Sequence, residues 1–136
     1  MACLLLLSAG AQAGAAVLVT VDEALRLAFR DCEVERETIF LTDAEVVEAG
    51  ELSGEARIRA LTVRHVARCE DKPAGTAYFD VHRVRTLEET VMVVVRPDDT
   101  IGRVEVISFD EPMDYLPREG WYRQFDGKDL DEDLKR

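Results

Sequence analysis

Apolar and polar residues change their period several times along the chain, and each change marks an element. Thr20-Val21-Asp22-Glu23 has the form of a capping box, in which the Thr oxygen takes the Glu23 amide and the Glu23 carboxylate reaches back. The stripe Ala24, Leu25, Leu27, Ala28 and Phe29 behind it predicts a helix to about Arg30. Val34, Arg36, Thr38 and Phe40 then alternate with Glu35, Glu37, Ile39 and Leu41, the period of a strand partly buried on both faces. Thr42-Asp43-Ala44-Glu45 repeats the capping box and opens a short helix through about Ala49, ended by Gly50 and a Ser53-Gly54 turn.

The rest of the chain reads as strands. Ile58–Cys69 mixes β-branched residues with Arg64 and His65, Glu70–Pro73 turns, and Gly75–Val84 returns as a hairpin partner. Thr90–Arg96 is almost continuously apolar, which predicts a central strand covered on both faces. Pro97–Gly102 turns the chain and Arg103–Phe109 runs back. Pro112 and Pro117 hold an extended loop, and Glu119–Phe125 can form a short helix with Trp121 and Phe125 one turn apart. From Asp126 only Leu130 and Leu134 are apolar, so residues 128–136 read as an acidic tail, disordered by itself. The fold class is α+β: an antiparallel sheet of about five strands with short helices packed on one side.

Residues 1–19 carry no charge before Thr20. The run Cys3–Leu7 leads into small residues and an Ala11-Gln12-Ala13 cleavage pattern, which reads as a signal peptide ahead of a domain over 20–127. No basic residue precedes Leu4, so a short retained anchor or a packed N-terminal helix stays open. With Cys3 removed, Cys32 and Cys69 are the remaining pair, either joined in an oxidising compartment or kept as two buried thiols.

Composition narrows the function classes. A net charge of −11 argues against nucleic acid and against an anionic membrane surface, both of which need a basic face. Thioredoxin chemistry, a zinc ribbon and haem attachment lack a C-x-x-C, and nucleotide loops lack their glycines. His65 and His82 are the only imidazoles, and neither sits in a nucleophile motif. Asp80-Val81-His82 places two ligand types on one strand face, read as a surface polar pair. Asp129, Asp131 and Asp133 alternate without the glycine and glutamate of a calcium loop.

One stretch carries more. Gly75–His82, Val84-Arg85-Thr86, Glu89-Thr90, Arg103–Val106, then Glu111-Pro112 with Tyr115, Pro117, Trp121 and Phe125, resemble the small exported FMN-binding domain. This family is similar to the periplasmic flavin subunit of Rnf-type complexes and of the Na⁺-pumping quinone reductase. The likeness extends upstream through Phe40-Leu41-Thr42 and the first helix. It implies an exported flavin electron carrier rather than a substrate-converting enzyme. It also implies FMN as cofactor, with a flavin transferase and membrane or periplasmic redox proteins as partners. It places Glu111, Pro112, Met113 and Tyr115 beside the flavin ring, and His82, Arg85 and Thr86 at its polar positions. Arg85 is either a phosphate partner or a solvated charge; Trp121 either stacks on the ring or pins the last helix. In the family the flavin is esterified to a Thr of an S/T-G-A-T motif after the W-x-x-x-F segment, and residues 126–136 contain no Ser or Thr. A flavin-free binding or scaffold domain, or a truncated product, are the alternatives.

Overall fold

Both capping boxes form, and they set the two helices. The structure, a computed structural model, describes residues 16–118 and 120–132; most of the expected signal segment, and the end of the acidic tail, lie outside them. Helix α1 (Val21–Ala28) starts where the Glu23 amide donates to Thr20 Oγ1 at 3.2 Å and the Thr20 amide to Glu23 Oε2 at 2.9 Å. Helix α2 (Asp43–Ser53) starts with the same exchange between Thr42 and Glu45. It runs through Gly50 and stops at Gly54, whose φ of 71° is the left-handed cap a glycine takes at no steric cost.

The strands are β1 (Ala16–Val17), β2 (Glu33–Phe40), β3 (Leu61–Cys69), β4 (Lys72–Arg83), β5 (Glu88–Val95) and β6 (Ile101–Phe109). All pairs are antiparallel, in the order β1-β6-β5-β4-β3-β2. The sheet therefore has six strands where about five are expected. The extra one is β1, whose two residues pair with Phe109 and Ser108 and are too short to carry a periodic signal. Strands β3 and β4 join through Glu70 and Asp71, both at positive φ, the two-residue turn that matches strand twist.

The cover is also different: it lies on both faces. Alternation along β5 sends Met92 and Val94 to one side and Val91 and Val93 to the other. On the first side Ala24 of α1 and Phe29, which caps its end, pack with Ala67, Ala77, Met92, Val94 and Ile107. On the second side Leu116 and Tyr122 pack on Val91, Val106 and Phe109. Two short 3₁₀ turns, Met113–Tyr115 and Tyr122–Phe125, carry that second layer in place of the expected helix over 119–125. Packing of Tyr122 on Val91, Val106 and Phe109 holds the second of them as a tight turn. The central apolar strand expected over Thr90–Arg96 is β5, with Met92 fully buried.

Gly75 is required by close approach. At φ 146°, an added Cβ would stand 2.9 Å from the Val95 carbonyl oxygen and 3.3 Å from the Phe29 ring. Cys32 and Cys69 form a disulfide, with Cα atoms 4.4 Å apart, where the start of β2 meets the end of β3. The acidic tail is tied down as far as Glu132. The Ile101 amide donates to the Lys128 carbonyl and the Gly127 amide to the Ile101 carbonyl, Thr100 bridges Asp129, and Arg96 pairs with Asp126 at 2.6 Å. Asp129 Oδ1 accepts the amides of Asp131 and Glu132, so this aspartate caps its own turn.

Candidate ligand-binding cleft

The second face of the sheet carries a cleft of about 640 Å³, within the range of small-molecule sites. Its floor is the outward row of β5 and β6: Val91, Val93, Val104 and Phe109. Its far wall is the chain after β6, which contributes Tyr115, Pro117, Trp121 and Phe125. Trp121 is 50% exposed, with its ring edge-on to Tyr122 and Phe125 at 4.9 and 5.3 Å. It is neither a core pin nor a loose surface ring: its own neighbours brace it while half of it stays open. Tyr115 is equally exposed and lies under Arg85, whose guanidinium stands 4.3 Å from the ring centroid.

Glu111 sets the wall in position. It is buried, and its Oε1 accepts the Thr86 amide at 2.5 Å, the Thr86 hydroxyl at 2.9 Å and the Leu87 amide at 2.8 Å. These bonds, the Thr86 amide first, hold the carboxyl below its usual range. The β4–β5 turn is thus clamped to the loop that carries Pro112, Met113 and Tyr115. Pro112 opens the first 3₁₀ turn and Met113 is half exposed within it; both support the wall without lining the cleft.

One end of the cleft is polar. Glu89, 5% exposed, accepts from the Tyr122 hydroxyl at 2.8 Å through Oε1 and meets His82 Nε2 at 2.9 Å through Oε2. His82 Nδ1 faces Asp80 Oδ2 at 3.1 Å. Burial, and then the Glu89 contact, push the Tyr122 hydroxyl well above its usual range, so it keeps its proton and donates. Asp80 and Glu89 stand on opposite ring nitrogens of His82, in line rather than around a common point. Among the described residues no cluster of three such side chains has the arrangement of a metal site.

No family model, curated protein or solved structure matches the chain. The site is therefore read from its own residues. Of the eight expected positions, His82, Tyr115 and Trp121 line the cleft. Arg85 and Thr86 reach it through Tyr115 and Glu111, and Pro112 and Met113 shape the wall. Sequence reasoning passes over Glu89, Tyr122 and Phe109. Glu89 looks like an ordinary strand-start acid, and its partner Tyr122 lies 33 residues away.

Proposed function

We propose that the cleft binds FMN and that the chain is in type an exported flavin electron carrier. The observation that carries this reading is the cleft itself: an apolar strand floor, a wall with two half-open aromatic rings, Arg83 in its lining and Arg85 over the Tyr115 ring. Flat heterocycles are held in this way, by faces rather than by many hydrogen bonds. The residues fit the group. Tyr115 and Trp121 would flank the ring and Val91 and Val93 would lie under it, while Arg83 and Arg85 would meet the phosphate. FMN would supply reversible electron uptake; the chain's part is binding, orientation and electrostatics. Redox proteins of the membrane or periplasm are the partners this reading calls for; a flavin transferase belongs to it only where an attachment Thr is present.

Titration of the purified protein with FMN tests it, read by flavin fluorescence and by emission of Trp121, the chain's single tryptophan. Saturable quenching is expected. Trp121→Leu and Tyr115→Leu should each weaken binding by about 5–10-fold, the loss of ~1 kcal/mol of ring contact. No quenching at millimolar FMN would leave a flavin-free binding or scaffold domain as the better reading.

A further inference from the structure

Four proton-carrying side chains stand in one hydrogen-bonded row at the polar end of the cleft, and packing alone does not call for their charge. Glu89 is buried beside Val91 and Phe109, where a carboxylate is costly to desolvate. A glutamine there would still accept from Tyr122 and could donate to His82. The acid adds one property the amide lacks: it can take up and release a proton. The row also has a direction. Side-chain exposure falls from 69% at Asp80 to 44% at His82 and 7% at Glu89, and the links measure 3.1 and 2.9 Å. His82 is engaged through both ring nitrogens, so a proton entering at Nδ1 can leave from Nε2 to Glu89, which itself lines the cleft.

We infer that Asp80, His82 and Glu89 form a proton path from solvent to the ligand in the cleft. Tyr122 acts as a positioning residue that holds Glu89 toward the cavity. The groups that face the path are Asp80 and His82 from β4, Glu89 from β5 and Tyr122 from the wall, with Arg83 beside them at the cleft. This inference rests on the proposal that a reducible heterocycle occupies the cleft. Two-electron reduction of FMN by dithionite adds two electrons from the reductant and one proton to a ring nitrogen. The path would pass a proton from His82 Nε2 by way of the Glu89 carboxylate to that nitrogen, and solvent would return a proton to His82 at Nδ1 through Asp80.

The experiment has two stages on the full chain. FMN affinity is first measured by fluorescence for the parent and for Glu89→Gln, His82→Gln and Tyr122→Phe. Reduction of the bound flavin by dithionite is then followed by stopped flow in H₂O and D₂O between pH 5.5 and 8. The expected result, with each variant saturated at the FMN concentration its own affinity requires, is reduction slowed at least about tenfold for Glu89→Gln and His82→Gln and a changed solvent isotope effect. Tyr122→Phe should slow reduction less and keep the isotope effect. Parental rates and isotope effects in both Glu89→Gln and His82→Gln would overturn the path while leaving FMN binding intact. Failure of the parent to bind FMN overturns both. Since His82 is partly exposed, His82→Gln tests the path even if Glu89→Gln fails to fold.

Discussion

Glu111 shows how one buried carboxylate can position a wall. Its three hydrogen bonds join a loop to a strand turn 24 and 25 residues away. Because its folded pKa is depressed, its contribution is complete above its ordinary value of 4.5 and is lost as pH falls through the lowered one. Glu23 and Glu45 shift in the same direction through their capping bonds, so Glu111→Gln should flatten only part of the acid limb of a melting-temperature profile. His65 acts higher on the scale. Burial, then the Arg36 charge, lower its pKa below 6.5, and its Nδ1 is buried without a hydrogen-bond partner. The unfolded chain takes up that proton first, so stability declines as pH drops below 6.5. Replacing His65 by Leu should remove this early decline without loss of stability at neutral pH, since no hydrogen bond is broken. A melting profile that still falls between pH 6.5 and 5 in the variant would refute this assignment. Neither residue announces its role in the sequence: one reads as a loop acid and the other as a strand histidine.

The helices and most strands are legible because their signals are local. A capping box needs four consecutive residues, and the strand alternation of β2 needs eight. Thr42→Ala should cost about 1 kcal/mol by removing one N-terminal partner of α2. The disulfide is a different case, since the sequence leaves Cys32 and Cys69 open between a bond and two thiols. Their separation of 37 residues sets an upper effect of about 4 kcal/mol for Cys32→Ser, measured by denaturation. The observed loss should be smaller to the extent that the reduced unfolded chain keeps residual structure between these ends. The 3₁₀ turns were not legible: Trp121 and Phe125 fit a helical spacing, but packing of Tyr122 on Val91 and Phe109 holds a tighter turn.

The molecule is organised around a sheet whose central strand is apolar on both sides. Phe109 belongs both to the second core and to the cleft floor, so Phe109→Ala should cost about 3–5 kcal/mol and, on the proposed reading, weaken FMN binding with it. The N-terminal edge belongs to the same unit. Val17 pairs with Ser108, Leu18 donates to the Ile107 carbonyl, and Val19 packs on the first core. A chain shortened by residues 1–13 keeps all of these contacts, and its stability is the reference. Removal through Val19 should lower it by about 2–4 kcal/mol, from lost hydrogen bonds and apolar burial. Comparing the two truncations by thermal melting separates processing after Ala13 from processing at the start of α1. The sequence by itself determined the α+β class, both helix starts, the hairpin and the buried middle strand, because caps and periodicity are properties of neighbouring residues. Tertiary structure alone settled the sixth strand, the cover on both faces, and the joining of Glu89 to Tyr122 and of Glu111 to Thr86. Those depend on which distant segments the sheet brings within a hydrogen bond's reach, and no local pattern encodes that distance.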